Sequence, residues 1–330
     1  VGPPFFQKSG ANVPGPCHLK PNIENIEQIL ATSAETMRGS ADNACKEVHL
    51  ERDVPLFLYK KIHVSTVQDF LTILQQIAPE HLAEEWDNVG LLVGDPRQRV
   101  QRVLLALDPT SALIEQAAAE QFDLVITHHP IIFRPLKTVR TDTPVGQFIA
   151  AAVRNRISVI ACHTNLDVIQ NGVSDHFAQA LGLTETRPLV PSRGGCDLGY
   201  GIGRIGTLPE PVSALTFLDR IRQVCSLPWL LEAGTRPEQV KIIAVCGGSC
   251  SELTETAFHQ GADVFVTAEV KHSVARWAAD AGLWLLDAGH FATEQPAMLI
   301  FRDLLQHHIA AHFGNITVDV AVQHSPLHLV

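Results

Sequence analysis

The sequence predicts an α/β fold on a mostly parallel sheet, with one strand–helix–strand unit present twice. Three observations carry this. Short β-branched or leucine-rich runs alternate with helical segments, the chain matches itself when slid by 140 residues, and each copy ends a strand in a histidine followed four residues later by a carboxylate. Strands buried on both faces read as continuous apolar runs, as expected for a parallel sheet covered by helices.

Residues 1–62 stand apart. "VGPPFFQKSGANVPGPC" is rich in Pro and Gly and "MRGSADNACKEVHLERD" has little apolar periodicity, so apart from a short helix expected at 23–32 this stretch reads as an extension or linker. Order begins at "STVQDFLTILQQIAP". Ser65 or Thr66 caps a helix whose Val67, Phe70, Leu71, Leu74 and Ile77 share one face, and Pro79 ends it. After the loop "EEWDNVG" come a strand at 103–107, a helix near 111–120, a strand at 123–127, a helix near 144–154 and a strand at 157–163. Residues 63–190 are taken as a first α/β lobe and 191–330 as a second, with the C-terminal elements free to pack back on the first.

The repeat lays "VLLALDPTSALIEQAAAEQFDLVIT" (103–127) over "IAVCGGSCSELTETAFHQGADVFVT" (243–267) without gaps, and Ser111/Ser251, Leu113/Leu253, Glu115/Glu255, Ala117/Ala257, Asp123/Asp263 and Thr127/Thr267 are identical. It resumes at an offset of 127, where His163-x-x-x-Asp167 matches His290-x-x-x-Glu294. The change of offset is assigned to loop length, since the first copy inserts "PIIFRPLKTVRTDTP".

Composition excludes several classes. With 330 residues, 46% of them hydrophobic, the chain can bury two cores of ordinary size. Its 35 acidic against 25 basic residues give a formal charge of −10, which disfavours nucleic acid as a partner. Seven scattered cysteines with no CxxC spacing argue for a reducing compartment and against a disulfide framework, so the chain reads as cytoplasmic. No apolar run approaches the ~18 residues of a membrane span.

Residues at the C-terminal ends of parallel strands project into a common crevice. Three such ends carry metal-competent side chains: His128 and His129 in "DLVITHHPIIF", His163 with Asp167, and His290 with Glu294. One histidine at a strand end is ordinarily a hydrogen-bonded surface or core residue, but this set at three ends, two related by the repeat, points to metal. Imidazole with carboxylate suits zinc, iron or manganese, and six such residues exceed what one tetrahedral ion takes, so two ions per chain fit better. His128 and His129 can serve one ion each only if the backbone turns, which Pro130 makes plausible. By contrast His307, His308 and His312 lie in a helical pattern and read as a solvated face. "CGGSC" (246–250) reads as a tight strand-to-helix turn or a weak anion cradle, and Arg134 and Lys137 as surface charges within reach of substrate phosphates.

At these residues the chain resembles the GTP cyclohydrolase 1 type 2 homologs, also called Nif-three-like dinuclear-metal proteins. The resemblance runs from about Ser65 to the C-terminus, on "AEEWDNVGLLVG", "LALDPT", "DLVITHHPIIF", "ACHTNLD", "GIGRIGTL", "GADVFVTAEVKH" and "DAGHFATE". It implies two related α/β lobes facing across a dinuclear metal cleft, within a homohexamer. It implies five ligands, His128, His129, Asp167, His290 and a bridging Glu294, with His163 close to the metals. The implied reaction is attack by a metal-activated hydroxide on the purine ring of a nucleotide, with His163 and His272 as candidates for proton transfer. Phosphoester or amide hydrolysis would use the same centre, and a non-catalytic metal-binding, scaffold or regulatory hexamer is the competing class. The chain departs from the family's usual pattern at Ala268, Ser273 and Cys250, none of them an implied ligand.

Overall fold

The computed structural model describes residues 64–192, 199–313 and 316–329. The expected N-terminal extension and its short helix lie outside them. In chain order the strands are β1 (Gly90–Val93), β2 (Arg102–Ala106), β3 (Leu124–Thr127), β4 (Ser158–Ala161), β5 (Thr184–Pro191), β6 (Gly201–Ser213), β7 (Leu231–Ala233), β8 (Gln239–Val245), β9 (Val264–Thr267), β10 (Trp284–Asp287) and β11 (Thr317–Val320).

They form two sheets, ordered β1-β4-β3-β2-β11 and β5-β6-β8-β9-β10-β7. In the first, β11, β2, β3 and β4 are parallel and only β1 runs antiparallel. In the second, only β8, β9 and β10 are parallel, while β5, β6 and β7 pair antiparallel. The mostly parallel expectation therefore describes the first sheet, and the second is mixed. The long strand β6 explains why: it follows β5 closely in sequence and returns beside it, which needs no crossover helix.

The duplication extends to strand register. Val103 stands opposite Leu124, and Ile243, 140 residues on, opposite Val264. On the other side Ala161 pairs with Thr127 and Asp287 with Thr267, which sets these last strands 126 residues apart rather than 127. The second copy therefore carries one residue more between strand and histidine. Gly289, at φ 74°, supplies a left-handed turn there before His290.

Expected elements appear close to their expected places. Thr66, not Ser65, caps the helix Val67–Ile77, exchanging hydrogen bonds with Asp69 in a capping box. The next helices are Ser111–Ala119 and Pro144–Arg154, each capped by a threonine that accepts a backbone N–H. Alternate residues of each central strand enter opposite cores. Val103, Leu105, Leu124 and Ile126 pack with the helices Val67–Ile77 and Ala297–His312, while Leu104, Ala106 and Val125 pack with the helices Ser111–Ala119 and Pro144–Arg154. The second sheet repeats this with Ile243, Val245, Val264 and Val266 on one face and Ala244 and Phe265 on the other. Burial on both faces makes these strands continuously apolar.

Buried Arg204 on β6 donates to Asp175 and to the carbonyl oxygens of Gly201, Gly203 and Ile169, fastening β6 to the turn that follows Asp167. Among the described residues, no helix is long and apolar enough to cross a membrane.

Candidate metal centre

The ends of β2, β3 and β4 in one sheet and of β8 and β10 in the other meet across one cavity of about 530 Å³, lined among others by Asp108, His129, His163, Asp167, Gly247, His290 and Glu294. Pairing continues past β3: His128 N–H donates to Ala106 O and His129 N–H to Leu107 O. Thr127 Oγ1 donates to His129 O, tightening the chain at the doublet. The two imidazoles lie with ring centroids 5.0 Å apart, tilted by 49°. His163 precedes the short helix Thr164–Asp167, and His290 opens the short helix His290–Glu294, which carries its glutamate one turn later.

Every histidine of the cluster is engaged at Nδ1, which leaves Nε2 facing inward. His128 Nδ1 meets Cys162 O at 2.9 Å, His129 Nδ1 meets Asp108 at 2.7 Å, His163 Nδ1 meets Asp87 at 2.8 Å and His290 Nδ1 meets Glu269 at 2.9 Å. Metal-ligating histidines have this arrangement, in which the outer partner fixes ring and tautomer. Inside, the nitrogens fall into two sets around Glu294. His128 Nε2 lies 3.6 Å from Asp167 Oδ1 and 3.9 Å from Glu294 Oε1. His129 Nε2 and His290 Nε2 lie 3.2 and 3.1 Å from Glu294 Oε2, and 3.2 Å from each other. Ligand atoms of His128, His129 and His163 also fall within 4.8 Å of one another.

The electrostatics of the cluster are set by burial and by its carboxylates. Burial drives His128 down to about 3, against the pull of Glu294 and with the push of His129 and His163, so its ring is neutral. Burial also opposes charge on His129 and His290, but Asp108 and Glu294 raise the first to about 10, and Glu294 and Glu269 the second to about 9. Glu294, although buried, is held well below the usual carboxylate range by His129 and His290. Burial and the Glu294 charge push Asp167 well above it.

The residues fit divalent ions. His128 Nε2 is fully buried with no hydrogen-bond partner, a costly state that an ion relieves. The "CGGSC" turn makes room for the bridge: a methyl group on Gly248, at φ 70°, would lie 2.1 Å from Glu294 Oε1. In the repeat, Gly248 occupies the place of Asp108, and Glu269 that of His129.

The structure thus brings His128, His129, His163, Asp167, His290 and Glu294 together. It does not bring His272, which is exposed at the start of the helix His272–Ala281 and lines no part of this cavity. The strand-end rule fails there because Val270 and Lys271 intervene between the strand-end segment and the helix, carrying the imidazole outward. Arg134 and Lys137 are likewise exposed and outside the lining. The orienting carboxylates Asp87, Asp108 and Glu269 were not singled out in the sequence. Asp87 accepts from His163 Nδ1 and from both N–H and Oγ1–H of Thr164; burial opposes its ionisation, but these bonds hold its carboxyl well below the usual range.

A model of the Duf34/NIF3 (NGG1p interacting factor 3) family matches residues 65–326. A Clostridium perfringens protein described as a GTP cyclohydrolase 1 type 2 homolog is 33% identical over 233 residues, covering 71% of this chain and 88% of its own length. One of the same description from Streptomyces coelicolor is 36% identical over 233 residues, covering 70% and 82%. Among solved structures, a NIF3-related protein of Bacillus cereus superposes with a TM-score of 0.75 at 23% identity, over 81% of this chain and 100% of that one, a likeness of fold. A Staphylococcus aureus protein superposes at 0.74 with 28% identity, over 80% and 99%. On the span of the family model and the identity to these relatives, the chain belongs to the Duf34/NIF3 family.

Proposed function

We propose that the cleft is a dinuclear, metal-dependent hydrolytic centre. One ion would be held by His128, Asp167 and Glu294, the other by His129, His290 and Glu294. The observation that carries this is the division of Glu294, whose Oε1 faces His128 while Oε2 faces His129 and His290. Three imidazoles and two carboxylates suit zinc, iron or manganese. Two such ions supply a water ionised near neutral pH and polarise the group it attacks.

The chain's own residues do the rest. Asp87 fixes the His163 ring by its Nδ1, and the ring lines the cavity, where it is the candidate for moving a proton to or from a substrate. Asp108 and Glu269 hold the rings of His129 and His290 from outside the ligand set. The relatives' description as GTP cyclohydrolase homologs supports a purine ring as the group attacked, and phosphoester or amide hydrolysis would need the same residues. The proposed assembly is a homohexamer in a reducing, cytoplasmic compartment.

Metal analysis of the purified chain tests the centre. Two equivalents per chain are expected, with both sites weakened by Glu294→Gln. One equivalent in the unaltered chain would refute the dinuclear reading. Catalysis is tested by incubating zinc-, iron- and manganese-loaded protein with GTP and, separately, with guanosine, and following formate release. No turnover with any of the three, together with full cellular function in a His128→Ala strain, would leave a metal-binding scaffold instead.

A further inference from the structure

We infer that Trp86 and Phe133 form a stacking subsite at the mouth of the cleft for a planar nitrogen heteroaromatic that is uncharged or cationic, a free base or nucleoside rather than its triphosphate. The inference rests on the hydrolytic reading of the centre and narrows its substrate.

Both side chains line the metal cavity and are unusually exposed for their size, Trp86 by 58% and Phe133 by 44%. Adjacent exposed aromatics mark a binding surface, because water is a poor neighbour for them. These two are held in place rather than loose. Their rings meet edge to face at 5.7 Å, and each meets His163 in the same way, at 6.1 and 6.3 Å. Their loops are also tied together: Asn88 Nδ2 donates to Ile132 O, and Asp87, between Trp86 and Asn88, accepts from His163 and Thr164. The aromatic wall therefore has a fixed position relative to the imidazole proposed to carry the proton. A ring stacked on it presents its edge to the ligand cluster across a cavity large enough for a bicycle.

Charge narrows the class. Besides the ligands and Asp108, the charged residues lining this cavity among the described residues are Glu84 and Glu252. Carboxylates at the rim accept from ring N–H and exocyclic amino groups and repel phosphate, in opposition to the positive charge at the ligand cluster. Arg134 and Lys137, one and four residues beyond Phe133, are exposed and do not turn in.

Guanosine and guanosine 5′-triphosphate share a base and differ in charge, so they separate the terms. Their binding to the full chain, stripped of metal with chelator, is measured by calorimetry and by quenching of tryptophan fluorescence. Guanosine is expected to bind at least about tenfold more tightly than the triphosphate. Trp86→Ala should weaken guanosine about tenfold or more, Trp86→Phe should restore most of the affinity, and Trp277→Phe, on the helix His272–Ala281 and outside the cavity lining, should leave it unchanged. Metal content of the Trp86 variants, loaded separately, should equal that of the unaltered chain. Equal or tighter binding of the triphosphate, or unchanged guanosine affinity in Trp86→Ala, would overturn the subsite. So would a change in sedimentation of Trp86→Ala with guanosine binding intact, which would make the pair a subunit contact. If metal stoichiometry fails while guanosine binding holds, the hydrolytic reading falls and the stacking subsite stands.

Discussion

Glu294 is 4% exposed and carries its charge among three inward-facing imidazole nitrogens, and its charge favours protons on His129 and His290 wherever no ion is bound. A divalent ion must displace those protons. Metal affinity is therefore expected to rise with pH from 7 towards 9, by up to about tenfold per unit for each proton released. Calorimetry in buffers of different ionisation enthalpy counts the protons, and a pH-independent affinity would contradict this account. The same linkage predicts how the metal-free chain responds to pH. Both histidines have folded values above the ordinary 6.5, so the folded state binds more protons than the unfolded state above that pH. Stability present below about 6.5 should fade as pH rises through about 9 to 10, seen as a falling midpoint of thermal unfolding that added zinc reverses. At this scale the histidines were legible in the sequence because spacing from a strand end exposes them. Asp87, Asp108 and Glu269 were not, since each acts through a ring far away in the chain: 76 residues separate Asp87 from His163.

The turn Cys246–Cys250 shows how one element shapes the site. Where the first copy of the unit has Asp108, bonded to His129, the second has Gly248, and the space left by the missing side chain receives Glu294. Gly248→Ala should lose metal stoichiometry. The control is Gly261→Ala, at φ 80° with nothing within 4 Å of an added methyl group. Both changes strain a left-handed backbone by about 1–2 kcal/mol, so unfolding midpoints should shift alike while only the first empties the site. Equal metal content in the two variants would show that Gly248 matters for its backbone alone. The short helices after β4 and β10 follow the same economy, and their His-x-x-x-acid pattern was readable because it is local. The extra Gly289 was not, since only strand pairing reveals that β4 and β10 are offset by 126 while their histidines are offset by 127.

For the whole molecule, the first sheet is completed from the far end of the chain. β11 pairs with β2, and Gln323 just beyond it accepts from Leu107 N–H and Asp108 N–H and donates to Asp108 O. The C-terminus thereby steadies the carboxylate that orients His129. Gln323→Ala should weaken the ion assigned to His129 and His290 by about 10–100-fold, as loss of an outer partner does, and leave the other unchanged. A two-phase metal titration that shifts in one phase only is the expected result; equal shifts would deny the link. The sequence left the C-terminal elements free to pack back on the first lobe, but periodicity did not mark β11 as the partner of β2, because four residues of strand have no partner written beside them. The arrangement also orders events on the ribosome. The second sheet has all its strands once β10 emerges, whereas β2 waits for β11, more than 200 residues later, or roughly 10–40 s at about 5–20 residues per second. Through that interval the nascent first lobe has an open edge on β2, so it is there that a chaperone would be needed most.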